Sequence, residues 1–438
     1  MFRKMIDALK VKDIRHRLGY VLLCLVIIRI GSQIPVPGVN SSYFKEWFAS
    51  QAGDAFNFFD AFTGGSFSSM SILALSITPY ITASIIIELL TIAIPALEEM
   101  QRDGEDGRKK MVAITRYVTV GLSLFESIAM TVGFGRQGLI TDINFLRGVA
   151  VVVALTAGSC FLMWIGEQIT EKGVGNGISI VLLINIVSRL PQDLTSLYEQ
   201  FIKGRTIAKM CLAAVIIIAI MVLMVVLVCI LNGAERHIPV QYSRKTVGRR
   251  MIGGQSTHIP LKVNTAGVIP IIFASSIMSF PGIIATFAGK TNAGGPLGFI
   301  LAMLNENNWF DFTHPAYSIG LVIYILLVVF FAYFYTSITF NPLEIADNMK
   351  KQGGFIPGIR PGKPTSEYLT QILNYIIFIG AVGLVIVGII PFFFNGVFNA
   401  RVSFGGTSLI IIVGVILETV KQIEAMMVVR NYKGFLSE

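Results

Sequence analysis

The sequence predicts an all-α integral membrane protein: ten transmembrane helices in two inverted five-helix halves. Three observations carry that prediction: the composition, a succession of apolar runs of bilayer length, and a short internal repeat. Of the 438 residues, 54% are hydrophobic and 14% charged, and mean hydropathy is +0.70. Soluble domains carry roughly 25% charged residues. About 20 consecutive apolar residues match the ~30 Å hydrocarbon core of a bilayer. The runs here are continuous rather than alternating, which excludes a transmembrane barrel.

Scanning for apolar runs bounded by charge, Pro or Gly gives ten spans. They cover residues 18–34, 72–97, 111–134, 148–169, 177–190, 207–231, 263–287, 316–340, 368–394 and 407–429. The fifth is the shortest, at 14 residues, yet predominantly apolar from a Gly cluster up to Arg189. The basic start "MFRKMIDALKVKDIRHRLGY" leads straight into the first run. No small-residue cleavage site intervenes, so the first helix is expected to stay in the membrane. With the N-terminus inside, the inner segments hold 25 Lys and Arg and the outer ones nine, while Arg29 falls within the first span. Positively charged connections stay cytoplasmic, so both termini are expected there.

The second and seventh spans contain "ITPYITASII" (77–86) and "VIPIIFASSI" (268–277). Aligned without gaps, they share Pro79/Pro270, Ile81/Ile272, Ala83/Ala274, Ser84/Ser275 and Ile86/Ile277. Matches of Ile and Ala arise by chance, whereas a Pro with an Ala-Ser pair in register carries weight. Each decamer lies in the second span of a five-span half. Five is odd, so the halves are inverted, as in many transport proteins. The chain is thus divided into a cytoplasmic segment (1–17), an N-terminal half (18–190), an external connection (191–206), a C-terminal half (207–429) and a tail (430–438).

Two inverted halves leave a passage between them, and its lining bounds what it carries. Coupled transporters place ionisable groups near the midplane. Here Glu88, Glu167 and Glu418 fall toward cytoplasmic ends and Glu126 toward the outer part of span 3. Near the expected middle lie Ile77, Ile81, Leu182, Ile186, Ile272 and Ile411. Periodicity alone reads them as packing or lipid-facing residues. An aliphatic constriction nevertheless blocks water and ions by dewetting.

Two cytoplasmic connections, 232–264 and 341–368, are longer than topology requires, and "FIPGIRPG" has the chemistry of an ordered turn. A basic cytoplasmic platform suits a large acidic or RNA-bearing partner. Cys24, Cys160, Cys211 and Cys229 lie inside apolar runs without paired spacing and read as neither disulfides nor metal ligands. No catalytic or cofactor motif is found, and neither enzyme activity nor a cofactor is expected. "GVGNG" (173–177) reads as a flexible lead-in to span 5. The segment "FNFFDAFTGGSFSSMSI" (56–72) is too short and polar to span, yet too apolar for a wet loop.

The stretches "PYITASIIIELL", "GEQITEKGVGNGISI", "QSTHIPLKVNTAGVIPIIFASSI", "NPLEIADNMKKQGGFIPGIRPGKPT" and "GGTSLIIIVGV" resemble the bacterial SecY family of protein-translocation channels over essentially the whole chain. The resemblance implies a clamshell of ten helices that passes unfolded secretory chains across the bacterial cytoplasmic membrane and releases hydrophobic helices into lipid. It maps the pore ring onto the six aliphatic residues above. It implies a short plug helix over about 56–70, with Phe58, Phe59, Phe62, Gly64, Gly65 and Phe67. A lateral gate of spans 2 and 7, helped by 3 and 8, would involve Pro79, Ser84, Ile85, Glu88, Thr115, Asn264, Ala274, Ser275 and Met278. Gln is the residue expected at position 88, so Glu88 departs from the pattern. Arg249, Arg250, Lys350, Lys351 and Arg360 map to the docking surface for the SecA motor and the ribosome. The further implied partners are SecE, SecG, nascent chains bearing signal sequences, and membrane lipids. The competing readings are a small-solute secondary transporter, which needs a polar midplane pocket, and a scaffold subunit whose loops are its only working surface.

Overall fold

A computed structural model describes residues 9–47, 60, 62–136, 138, 144–203, 207–242, 245–247, 250–252, 256–287, 295–305, 308–310, 314–398 and 406–434. The N-terminal half contains helices α1 (Lys12–Gly31), α2 (Ser41–Trp47), α3 (Thr78–Ala93), α4 (Pro95–Arg102), α5 (Gly104–Arg136), α6 (Phe145–Lys172) and α7 (Gly177–Leu197). The C-terminal half contains α8 (Ile207–Gly233), α9 (Ile269–Phe287), α10 (Pro296–Leu304), α11 (Ile319–Thr339), α12 (Pro342–Lys351), α13 (Lys363–Phe398) and α14 (Gly406–Gly434).

Each predicted run falls on a helix. Among the described residues, six helices are long and apolar enough to cross a bilayer by length and composition, or seven if α3 and α4 count as one bent span. The bend is 105°. Pro95 causes it: Ile94, just before the proline, is extended (φ −115°, ψ 107°), and α4 leaves the membrane direction with Glu98, Glu99 and Arg102. α1 opens on Lys12, Asp13, Arg15 and Arg17, and α14 acquires Glu418, Lys421 and Glu424. α9 begins at Ile269 instead of 263, after Gly267 turns the chain with φ +63°. α3 and α9 both start one residue before a proline, Pro79 and Pro270, where a missing N–H costs nothing. α7 runs past residue 190 through Pro191 to Leu197, followed by a π-helical turn at Tyr198–Ile202. Most of the expected 191–206 connection is therefore helical.

α5 packs against both α3 and α6 and carries a ladder of small hydroxyl residues, of which Ser127 meets Thr156 of α6. Thr115, Thr119, Ser123, Ser127 and Thr131 recur every four residues and are all buried, along a stripe that winds slowly round the helix. Each hydroxyl donates to a carbonyl three or four residues earlier, at 2.6–3.0 Å, so none of them depends on the neighbouring helix for a partner. Small side chains then allow the close approach that replaces the hydrophobic effect inside a bilayer.

Each half has its own core. In the first, Phe44, Phe67, Met70, Phe134, Val151 and Leu155 pack together, with Phe44 edge-on to Phe134 at 5.0 Å between centroids. In the second, Trp309, Tyr324, Val328, Leu384, Phe392 and Ile410 form a cluster, and Trp309 donates its indole N–H to the Met303 carbonyl at 2.9 Å. A further cluster draws on both halves and lies between them.

The two long loops are ordered and paired with each other. β1 (Glu235–Tyr242) and β4 (Ser256–Lys262) form an antiparallel pair, and β5 (Gly354–Phe355) of the second loop adds to β1 through Gln241↔Phe355 and Tyr242↔Gly354. A small hairpin of β2 (Lys245–Val247) and β3 (Arg250–Ile252) caps the first loop. Ile238 and Val240 face inward by the two-residue strand period, onto Met349, Ile356, Leu369 and Leu373.

Candidate functional site: the passage between the halves

The six aliphatic residues of the sequence reading meet in the cluster between the halves. Ile77, Leu182, Ile186 and Ile411 are buried there, and Ile81 and Ile272 pack against them. They arrive from α3, α7, α9 and α14. Ile77 and Ile81, like Leu182 and Ile186, are four residues apart and share one helix face. Ser76, with left-handed backbone (φ +52°), turns the chain so that Ile77 opens α3, and Asn185 of α7 donates to its hydroxyl at 3.0 Å. All six side chains are aliphatic, so none of them offers water a hydrogen bond.

Of the plug residues, Phe62 is buried in this same cluster. Phe67 belongs instead to the core of the N-terminal half, edge-on to Phe134 at 6.1 Å. Phe58 and Phe59 lie outside the described residues. The described part of the segment is helical at Asp60 and at Phe62–Thr63, then turns from residue 64 to 70. Gly64 and Gly65 have φ of +66° and +82°, which end the helix. The turn is stitched internally: Phe67 N–H donates to Thr63 Oγ1 at 3.1 Å, and Ser68 N–H to Asp60 Oδ1 at 2.8 Å. It is also anchored outward. Asp60 ion-pairs with Arg189 of α7, and Arg29 of α1 reaches the Gly64 carbonyl at 3.5 Å. Sequence reasoning missed Asp60 and Arg189. Arg29 stood out as a charge inside a span, but nothing in the sequence gave it a partner.

At the proposed gate, Pro79, Ala274, Ser275 and Met278 are buried, while Ser84, Ile85 and Glu88 are half-buried. Ala274 and Met278 join the core of the C-terminal half, and Phe273 stacks on Phe331 of α11 at 4.9 Å. α9 touches α5 across the seam. The polar trio is not joined by hydrogen bonds among the described residues. Thr115 donates to its own helix, Asn264 donates to Asn232 Oδ1 at 2.8 Å, and Glu88 lies within electrostatic reach of Tyr335 on α11.

On the cytoplasmic side Arg360 is exposed on a turn held by Gly358 and Gly362 (φ +83° and +104°), and Thr365 Oγ1 donates to its carbonyl at 2.8 Å. Lys350 and Lys351 are exposed in the last turn of α12. Arg250 stands on β3, and Arg249 lies outside the described residues. "GVGNG" is a packed turn rather than a flexible lead-in. Gly175 has φ +88°, and a Cβ there would meet Ile180 at 2.8 Å and Thr419 of α14 at 3.0 Å. Asn176 caps α7 by accepting from the Ile178 and Ser179 N–H groups. Among the described residues no group of His, Cys, Asp or Glu forms a metal site.

The chain matches known proteins over its whole length. A SecY family profile matches residues 71–420. Protein translocase subunit SecY of Halalkalibacterium halodurans is 44% identical over 444 residues, covering 100% of both chains. Its counterpart in Bacillus subtilis is 42% identical over 444 residues, again covering 100% of both. Among solved structures, one described as "The structure of a protein conducting channel" aligns with a TM-score of 0.66 at 17% identity, covering 94% of this chain and 92% of that one. Canine Sec61 in a ribosome-channel complex aligns at 0.63 and 16% identity, with 94% and 92% covered. The latter two share the fold. Full-length identity above two-fifths, joined to the profile match over residues 71–420, places this chain in the SecY family of protein-translocase channel subunits.

Proposed function

We propose that unfolded secretory polypeptides cross the membrane through the seam between the halves, threading the ring of Ile77, Ile81, Leu182, Ile186, Ile272 and Ile411. The observation that carries this reading is the convergence of those six residues, from four helices, with Phe62 of the plug segment against them. An aliphatic ring seals by dewetting and parts around any side chain, because no specific hydrogen bond has to break. The plug segment backs the seal at rest. Hydrophobic passengers leave sideways between α3 and α9, where Glu88, Thr115 and Asn264 line the cytoplasmic part of the gate. A small-solute transporter is set aside by family membership and by a ring whose six members are all aliphatic.

The chain itself is a passive pore, with both termini in the cytoplasm. Its driving force comes from a SecA-type motor or a ribosome docked on the β1–β4–β5 sheet and the Arg360 turn, with Arg249, Arg250, Lys350 and Lys351 contributing charge. SecE-type and SecG-type subunits complete the complex. The fold neighbours include Sec61 and Ssh1 channels in ribosome complexes, which supports this assignment of the cytoplasmic face. The test is reconstitution of purified protein with a SecE-type partner, a motor and a secretory precursor in vesicles. Protease-protected, full-length precursor is the expected outcome. Normal assembly and motor binding without protected precursor would reduce the chain to a scaffold.

A further inference from the structure

Charged groups converge on the plug segment that belong to neither the ring nor the gate. Asp60 is 3% exposed and ion-paired with Arg189 Nη1. The Arg189 side chain, on α7, is 13% exposed, and its Nε lies 3.7 Å from Asp193 Oδ1, one turn further along the same helix. That Nε is buried and has no hydrogen-bond acceptor among the described residues. Beside the pair, Gly64 is seated directly on α7, where a Cβ would meet the Asn185 carbonyl oxygen at 2.7 Å. Ser188 Oγ and Arg29 Nη1 both reach the Gly64 carbonyl at 3.5 Å.

A guanidinium left buried and unpaired is strongly destabilising, whereas a buried pair need contribute little by itself. A plug tied to a single-partner arginine would therefore be hard to remove. Arg189 has two carboxylates, and they address different edges of its fork. The edge facing Asp60 is engaged. The Nε edge already ion-pairs with Asp193 at 3.7 Å, without a hydrogen bond. We propose that Arg189 is a two-position latch: paired with Asp60 it holds the plug segment shut, and closing onto Asp193 it lets Asp60 depart without stranding a buried charge. This rests on the plug reading above. It adds that release is an exchange of partners along α7, with Asp60 regaining water while Arg189 stays compensated.

The exchange makes opposite predictions for the two carboxylates. Ser66 is 2% exposed, so in a background with the four native cysteines replaced, Ser66→Cys reports plug displacement by its reaction with a membrane-impermeant maleimide. In the reconstituted complex, Asp60→Asn is expected to speed labelling of that introduced thiol at least tenfold and to raise resting ion leakage. Asp193→Asn removes the release partner, so labelling is expected to fall below that of the unaltered latch and motor-driven translocation to slow. Asp60→Glu keeps the charge and is expected to label like the unaltered latch, which separates lost pairing from misfolding. If Asp193→Asn loosens the plug as Asp60→Asn does, both carboxylates merely brace Arg189 and the exchange is overturned. Unchanged labelling in Asp60→Asn, in a complex that still translocates precursor, removes the latch but leaves the channel standing. Labelling rates that separate as stated in a complex that translocates nothing uphold the latch and sink the channel reading.

Discussion

The six residues of the proposed ring are interchangeable in chemistry and fixed in position. Ile77 has no exposed surface and Ile411 only 1%, so each is shielded by its partners rather than by lipid. Burying such a side chain is worth about 1.5–3 kcal/mol, and replacing it by Ser both loses that and offers water a partner. Ile77→Ser or Ile411→Ser is expected to make resting proteoliposomes conduct ions while precursor transport persists. The check is single-channel conductance without motor or substrate, and a silent bilayer would take the residue out of the seal. All six positions were legible in the sequence as apolar residues near the middle of spans. Asp60 and Arg189 were not, because 129 residues separate them and an acidic residue in a short loop looks like ordinary surface.

Among the elements, α5 shows why small polar residues sit inside a membrane helix. Its hydroxyls satisfy themselves along the helix and leave a groove for α6, where Ser127 also meets Thr156 at 3.1 Å. Filling that groove forces the helices apart, so Ser127→Leu is expected to destabilise the protein by about 1–3 kcal/mol. A lowered thermal midpoint in detergent, compared with Ser127→Ala, would show it. The cytoplasmic loops form a single element in space, since β5 pairs with β1 across more than a hundred residues of chain. Arg360 projects from this platform on a turn whose shape depends on two glycines with positive φ. Arg360→Glu is expected to lower motor-driven translocation at least tenfold while the thermal midpoint stays within a degree or two, because an exposed charge contributes little to stability. Full activity in that variant would remove the turn from the docking surface.

At the scale of the whole molecule, two cores and one shared cluster divide the labour. Each half buries its own aromatics, so the halves are able to part without unfolding. What they share is the aliphatic cluster, which is non-directional and re-forms after each opening. The seam then sorts passengers by composition. Leu, Ile, Phe and Val each favour the bilayer by ~0.3–0.6 kcal/mol, whereas a central Asp opposes it by ~2.5–3.5 kcal/mol. Two Asp placed mid-way in a Leu-rich 20-residue passenger segment therefore cost about 5–7 kcal/mol. Such a segment is expected to switch from membrane insertion to full translocation, read by carbonate extraction against protease protection.

Local chemistry is enough to place a helix under each apolar run, and Pro79 and Pro270 at the start of two of them, because hydropathy and proline act within a few residues of where they stand. It does not set helix ends, since α7 passes Pro191 and α9 waits for Gly267. Nor does it show that "GVGNG" is a packed turn, which depends on Thr419 lying nearby in space. The polar gate trio Glu88, Thr115 and Asn264 came only from the family resemblance, and in the fold Asn264 spends its amide on Asn232. Partner choice of this kind, like the Asp60–Arg189–Asp193 cluster, belongs to tertiary structure. Burial decides which charges must be compensated, and only the folded chain brings their counterparts within reach.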